Sequence, residues 1–349
     1  MHTRTVIGTA LACAWALGAA AQPAPGTPAP PCRPADTQVV CGHQSPEDLV
    51  TLPGGQWVVA SAYSGSGGVY LVRVSDRTST VVYPAAGAKE SLDRKTYDTC
   101  PGPPNAATKA KFQTHGLYLQ ERPNRVHRLF VVLHGGRESV EVFDVDARQA
   151  TPAFTWIGCA VAPDPIGLNS VRGLPDGGFV ATNFLPRGGA PTAMAQMQTG
   201  QKNGELWEWH PGTAWRMVPG SEASGANGLE ISPDDKWFYV AAWGSQSFFR
   251  LSRGEATPKR DEVNLGFRVD NIRWASDGSI LATGQQGAPN AASETVIVKI
   301  NPETLRVREV LRRASSTEFG FGTVAVEVGR QWWVGSFRSD RIAIFPATP

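Results

Sequence analysis

Oxygen-bearing side chains open a series of short apolar segments along the sequence, and such side chains can bind a metal ion. Each opening residue is polar although the segment that follows it is apolar. The residues in these positions are Glu47, Asp48, His115, Asn169, Asn227, Asp270, Asn271 and Thr323. Carboxylate and amide oxygens are hard ligands, which Ca²⁺ takes in sets of about six to eight. Zinc would favour histidine or cysteine, and magnesium keeps most of its water ligands.

A calcium site is therefore predicted at these positions. We expect its ligands to be Glu47, Asn169, Asn227, Asp270 and Asn271. An asparagine before glycine, as at Asn227, is by itself better explained as a turn residue in the left-handed conformation. Because several such residues stand at equivalent places, the metal interpretation is favoured over that alternative.

Two histidines accompany this set. His115 opens one apolar segment and His134 ends the next, so antiparallel pairing of the two segments would bring the imidazoles together. A histidine pair beside a divalent cation can act as a general base on water while the cation polarises an ester or lactone carbonyl. The alternative for His134 is a strand-end residue before two glycines. Three further histidines fall outside the pattern and are predicted to lie on the surface: His43, His127 and His210.

Six copies of one strand pattern must position these residues. In the copy that begins at residue 224, the apolar run Leu229 to Ile231 is followed by a Pro-Asp-Asp turn and by the runs Trp237 to Ala242 and Ser247 to Leu251. This alternation predicts a three-stranded antiparallel meander. The other copies lie at 46–74, 114–145, 168–184, 270–287 and 322–345. Such repeats are typical of an all-β, six-bladed β-propeller.

In a propeller the first strand of each blade lies along a central tunnel, so the opening residues converge on one axis. We expect a central-tunnel metal site for this reason. The last strand, at 340–345, should pair near the N-terminal segment and close the ring.

Composition narrows the classes of partner. The formal net charge is +2 and the sequence has no run of lysine or arginine, which argues against nucleic acid and anionic membranes as partners. A small-molecule lactone or ester fits better, and oligomeric state is not indicated. The sequence has no Gly-x-Ser-x-Gly elbow, P-loop or dinucleotide fingerprint.

The N-terminus predicts export. Residues 1–21 combine His2 and Arg4 with an apolar run and three alanines, as a signal peptide does, and 22–45 form a Pro/Ala-rich leader before a propeller at 46–346. The alternative, a retained membrane anchor, is disfavoured because the run is shorter than the ~20 residues of a membrane span. We therefore expect a periplasmic or secreted protein without stable membrane insertion after cleavage.

Four cysteines remain after the predicted cleavage, and an oxidising compartment favours disulfides. Three connectivities are open. We favour Cys32 with Cys41, which are close in sequence, and Cys100 with Cys159, which would join two long loops.

Two polar insertions would lie outside the strand pattern. The first, 86–113, needs Cys100 to hold it down. The second, 186–203, is either a lid whose Met194 and Met197 contact an apolar substrate or an idle surface excursion.

A family resemblance rests on six motifs taken together. They are PED (46–48), HGL (115–117), LNS (168–170), ANGLEISPDDKWFYVA (226–241), VDNI (269–272) and GTVAVEVGRQWWVGS (322–336). In this order, across almost the whole mature chain, they resemble the paraoxonase/arylesterase-like lactonases. That family lies within the wider group of senescence-marker, gluconolactonase and strictosidine-synthase-like propellers.

The resemblance implies a six-bladed propeller, a catalytic calcium on the five residues named above, and a histidine dyad at His115 and His134. It also implies lactonase and arylesterase activity. A second, structural calcium would be held by Asp48, the Leu117 carbonyl and position 170, where this chain has Ser170 in place of the family's aspartate. The terminal disulfide of the family has no counterpart here.

The sequence thus predicts a calcium-dependent carboxylic ester hydrolase acting on lactones or aryl esters. One alternative is a gluconolactonase-like hydrolase of sugar lactones that uses another divalent metal. Another is a non-catalytic ligand-binding propeller, because one scaffold can carry unrelated functions.

Overall fold

Six sheets, antiparallel except for one parallel strand pair, account for almost all of the regular structure. The computed structural model describes residue 32 and residues 38–287 and 293–347. The predicted signal peptide and most of the predicted leader lie outside these residues. Among the described residues, no helix has the length and apolar character that crossing a membrane requires.

The first half of the chain forms three blades. The strand β1 (Val39–Val40) precedes them. Blade one comprises β2 (Leu49–Thr51), β3 (Trp57–Ala60), β4 (Val69–Arg73) and β5 (Ser79–Tyr83). Blade two comprises β6 (Lys89–Glu90), β7 (Gln113–Gln120), β8 (Val126–His134), β9 (Ser139–Asp146) and β10 (Ala153–Val161), with helix α1 (Ala106–Lys109) between β6 and β7. Blade three comprises β11 (Leu168–Gly173), β12 (Phe179–Asn183), β13 (Glu205–Trp209) and β14 (Arg216–Met217), with helix α2 (Ala190–Gln198) between β12 and β13.

The second half forms the other three blades. Blade four comprises β15 (Ala226–Ile231), β16 (Trp237–Ala242), β17 (Ser247–Ser252) and β18 (Arg260–Asn264). Blade five comprises β19 (Arg268–Trp274), β20 (Ile280–Gln286), β21 (Glu294–Ile300) and β22 (Val307–Ala314). Blade six comprises β23 (Gly322–Val328), β24 (Gln331–Ser336) and β25 (Ile342–Pro346), with β1 as its outer strand.

The first strands of the blades form a ring. In the order β2, β7, β11, β15, β19 and β23, each contacts the next, and β23 returns to β2. This arrangement confirms the predicted six-bladed propeller. The predicted three-stranded unit is incomplete, because blades one, three, four and five each carry a fourth, outer strand.

Blade six is built from both ends of the described chain. Val39 pairs with Ala343 and Val40 with Ile342 in antiparallel register, as expected for ring closure. The propeller therefore begins at β1, within the segment predicted as leader.

Both favoured disulfides are present in the structure. Cys32 is bonded to Cys41, just after β1, and Cys100 is bonded to Cys159 on β10. The second bond fastens the 86–113 insertion to blade two, and two disulfides indicate an oxidising compartment. Aromatic side chains pack closely in the core, and Trp209, for example, stacks with both Tyr97 and Phe179.

Candidate metal centre and histidine pair

Irregular strand pairing positions the candidate ligands. The first strands of blades two to six each change register against their neighbour at the opening residues. A β-bulge leaves residues out of the ladder and re-aims their side chains. The candidate ligands and base released in this way are His115, Asn169, Asn227, Asp270 and Asn271.

Glycines follow two of these residues because neighbouring first strands approach closely. A Cβ atom on Gly116 would lie 2.3 Å from the carbonyl oxygen of Asn169. One on Gly228 would lie 2.5 Å from the carbonyl oxygen of Asp270. Only glycine fits these positions without moving the backbone.

The structure brings the five predicted ligands together. Asn271 donates a hydrogen bond from Nδ2 to Glu47 Oε1 at 2.7 Å, and Glu47 and Asn227 both lie near enough to Asp270 to affect its pKa. Asn169 joins the group through His115, with Nδ2 and Nε2 3.5 Å apart. All five ligands are buried.

Four oxygens of this cluster are buried without a hydrogen-bond partner. They are Glu47 Oε2, Asn169 Oδ1, Asn227 Oδ1 and Asn271 Oδ1. Leaving a buried acceptor unpaired costs about 1–3 kcal/mol, so four in one cluster call for a ligand. The donor set is all oxygen and suits a hard cation. Among the described residues, no three His, Cys, Asp or Glu side chains form a metal site by themselves, so the amide oxygens are essential to this set.

The raised pKa values of the two carboxyl groups, Glu47 and Asp270, also indicate a cation site. Burial, and then repulsion from Asp48, raises the pKa of Glu47 to about 8. Burial, and then the charge of Glu47, raises the pKa of Asp270 well above its ordinary value. Without a cation the cluster therefore disfavours its ionised form, and a bound cation would offset that penalty.

The two histidines meet beside the oxygen cluster. His115 Nδ1 lies 3.0 Å from His134 Nε2, and His134 Nδ1 lies 2.9 Å from Glu138 Oε2. His115 Nε2 in turn lies 3.5 Å from Glu47 Oε2. Burial lowers the pKa of His115 to about 4, against the raising effect of nearby carboxylates.

Glu138 assigns the tautomers of this chain of contacts. Its oxygen Oε2 accepts a hydrogen bond from the N–H at His134 Nδ1, which leaves His134 Nε2 as the acceptor for the N–H at His115 Nδ1. His115 Nε2 then carries a lone pair directed at the oxygen cluster. Glu138 is itself fixed by the backbone N–H of Leu168, at 2.6 Å.

The residues of the predicted second calcium site do not fit a cation, because Arg273 already contacts Asp48 and Leu117. Its Nη2 is paired with the carboxylate of Asp48 and lies 3.0 Å from the carbonyl oxygen of Leu117. Asp48 also accepts the backbone N–H groups of Leu49 and Leu117, at 2.8 and 2.6 Å. Ser170 Oγ is buried with no partner. A guanidinium therefore supplies the positive charge at this place.

Helix α2 lies in the insertion expected to be either a lid or a surface excursion, and it packs onto the propeller through Met197. Met197 is fully buried, and its carbonyl oxygen accepts a 2.7 Å hydrogen bond from Ser224 Oγ. Of the two predicted substrate contacts, Met194 alone lines a cavity on this face.

Three cavities surround the hub. One of about 320 Å³ on the candidate-site face is lined by Tyr63, His115, His134 and Asn169. A second on this face adjoins Gln285. The largest, about 760 Å³, lies at the opposite ends of the first strands and is lined by Arg172, Glu230 and Arg273 among others. The largest of these three cavities is not the candidate site, because the unpaired oxygens lie at the other ends of the first strands.

Sequence reasoning missed several residues of this region. Glu138 stands four positions after His134 across a Gly-Gly turn, a spacing that could have indicated it. Gln285, which donates to Asp270 Oδ2 at 2.9 Å, and Arg273 gave no local signal. The predicted surface positions of His43 and His127 are wrong, since both side chains are buried.

Comparisons with known proteins show the fold. No protein-family model and no curated protein sequence matches the chain. A luciferin-regenerating enzyme is similar in structure, with 13% identity, a TM-score of 0.53, and coverage of 89% of this chain and 92% of the other. A provisionally named gluconolactonase has 14% identity, a TM-score of 0.52, and coverage of 89% and 91%. A protein of unknown function from Bacteroides thetaiotaomicron has 12% identity, a TM-score of 0.56, and coverage of 89% and 76%. At these identities the likeness concerns the fold alone: the chain is a six-bladed β-propeller that shares its architecture with these solved structures.

Proposed function

We propose that the chain is a calcium-dependent hydrolase of lactones or aryl esters. The observation that carries this proposal is the cluster of four unpaired buried oxygens beside the lone pair of His115 Nε2. An exported, periplasmic or secreted enzyme is in keeping with the two disulfides. One of the similar structures carries the name gluconolactonase, and the propeller fold that it shares with this chain is compatible with lactone hydrolysis.

The oxygen cluster would hold the cation. Glu47, Asn169, Asn227, Asp270 and Asn271 would contribute side-chain oxygens. When bound, Ca²⁺ supplies Lewis acidity, which polarises a carbonyl and stabilises developing negative charge.

His115 would act as the general base. Its Nε2 faces the cluster and can take a proton from water. The low pKa of His115 keeps the ring neutral at pH 7 but makes it a weak base when it acts alone. The contacts through His134 to Glu138 offset that weakness, because the proton on His115 Nδ1 can move to His134 Nε2 as His134 Nδ1 releases its own to the carboxylate.

The cavity beside the histidines would admit the scissile group. Tyr63 covers the pair, with its ring centroid 4.4 Å from that of His115 and 6.1 Å from that of His134. A substrate that displaces water from this cavity would strengthen the electrostatic contacts inside it.

The test combines chelation with substitution at one ligand. Purified protein should lose lactone and aryl ester hydrolysis on chelation and recover it with calcium. Asn227→Ala should lose at least about 100-fold in kcat/KM, since it removes one ligand oxygen of the cluster. Asn264→Ala, at an exposed strand end, is the matched control and should keep full activity.

Three results bear on the choice of mechanism and metal. Activity that survives both chelation and Asn227→Ala would contradict the proposal. Recovery with manganese or zinc but not calcium would favour the gluconolactonase-like alternative. Calcium that raises the melting temperature without turnover of any ester would favour a non-catalytic binding protein.

A further inference from the structure

A second cavity lies beside the candidate metal centre and is chemically unlike the first. It measures about 320 Å³, and its lining includes Met194 of α2, Trp243, Phe321 and Phe337. Gln285 connects the two regions. It lines the cavity, accepts a hydrogen bond from Trp243 Nε1 at 3.3 Å, and donates to Asp270 Oδ2 at 2.9 Å. A ligand here would therefore lie next to the proposed cation.

Two arginines share this cavity with the aromatic rings. Arg268 lies over Trp243, with its guanidinium carbon 5.1 Å from the ring centroid. Arg338 lies over Phe321 at 4.2 Å and over Phe337 at 5.1 Å. Arginine stacked on aromatic faces is typical of sites that recognise planar or anionic ligands.

Neither guanidinium has a carboxylate partner within 4.0 Å among the described residues, whereas Arg250, Arg253 and Arg312 each form an ion pair with an acid. Burial lowers the pKa of Arg268, and no acidic group offsets that effect. Arg338 is exposed and Arg268 is partly buried, so both guanidinium groups are open to a ligand anion at the edge of the cavity.

The backbone at Phe321 supports a binding role for the same place. Its φ angle is +56°, in the left-handed region that bulky residues rarely adopt. Its ring packs edge-on against Phe337, with centroids 5.6 Å apart. Strained backbone that positions an aromatic side chain is concentrated at ligand sites.

We propose that this cavity is a subsite for an organic anion, namely an apolar or aromatic group that carries a carboxylate. The rings hold the apolar body and the guanidinium groups of Arg268 and Arg338 hold the carboxylate. The link to hydrolysis rests on the proposed function: the preferred substrates are esters or lactones with a carboxylate remote from the scissile bond. Binding of the anion itself does not depend on catalysis.

Binding is tested first, without turnover. The probes are 4-phenylbutyrate and its neutral amide, titrated calorimetrically into calcium-free protein so that the carboxylate cannot bind a cation. The anion should bind at least about tenfold more tightly than the amide, because charge-assisted hydrogen bonds exceed neutral ones by this order. The double variant Arg268→Gln with Arg338→Gln should abolish the difference. Arg216→Gln, an exposed arginine on β14, is the matched control and should preserve it.

The kinetic arm separates this proposal from the proposed function. With calcium present, the double variant should lower kcat/KM at least about tenfold for the phenyl monoester of succinic acid and leave phenyl acetate unchanged. Selective anion binding without turnover of either ester would overturn the hydrolase and support the subsite. Equal binding of acid and amide, or a double variant that binds the anion as the wild type does, would overturn the subsite even if both esters are hydrolysed.

Discussion

Replacing Arg273 with methionine should destabilise the chain by about 3–5 kcal/mol at pH 7, the cost of leaving a buried charge without its partner. The carboxylate of Asp48 is fully buried, and the guanidinium of Arg273 is its only charged partner among the described residues. Methionine keeps much of the apolar stem, so the loss reports mainly on charge. The backbone N–H groups of Leu49 and Leu117 still donate hydrogen bonds to Asp48 in the variant, and they offset part of the lost stability.

The assay is urea unfolding of the wild type and the variant, with calcium removed. The control is the double variant Asp48→Asn with Arg273→Met, which removes both charges and should recover most of the lost stability, because removing both partners of a buried pair is often near neutral. A single variant within about 1 kcal/mol of the wild type would refute the reasoning, as would a double variant no better than the single one. Calcium titration adds a sharper result: metal analysis should find one bound ion in the wild type, as proposed above, and a second ion in the Arg273→Met protein.

Three further outcomes are expected. Glu138→Gln should lower kcat at least about tenfold without changing the calcium content, because the amide no longer fixes the tautomer of His134; equal kcat would contradict the proposed relay. Burial lowers the folded-state pKa of His43 to about 4, so its contribution to stability is complete above pH 6.5 and is lost as the pH falls toward 4. His43→Gln should therefore flatten the decline of the urea midpoint over this range, and a decline as steep as in the wild type would contradict this assignment. The double variant Cys100→Ser with Cys159→Ser should lose about 2–5 kcal/mol, because the bond closes 59 residues of chain; an unchanged unfolding midpoint would show that packing alone holds the loop.

The sequence predicts the ring because alternation and turn residues repeat in it. The run Trp237 to Ala242 is aromatic and β-branched, and it matches an observed strand residue for residue. The outer strand Arg260–Asn264 was missed because its exposed charged residues carry no apolar period. The hydrophobic pattern of the sequence therefore predicts the strands that bury one face, but not the exposed outer strands.

The candidate site likewise contains residues that the sequence predicts and residues that it does not. Glu47 and Asn271 are 224 positions apart, yet both were predicted because each occupies the same place in its repeat. Arg273 could not be predicted, since its role depends on Asp48, 225 positions away, and an arginine in a strand gives no hint of burial. The second metal was expected from the family resemblance, and the contact of Arg273 with Asp48 explains why these oxygens do not need one in this chain.

The pairing of β1 with β25 has a consequence for synthesis. Until the last strand has reached the compartment in which the chain folds, the sixth sheet lacks its partner from the other end, and its strand edges stay open to foreign strands. The protein therefore passes through an interval in which five sheets can be complete while the circle is broken. Factors that shield exposed strand edges should matter most in that interval, and deletion of Val39 and Val40 should prolong it indefinitely.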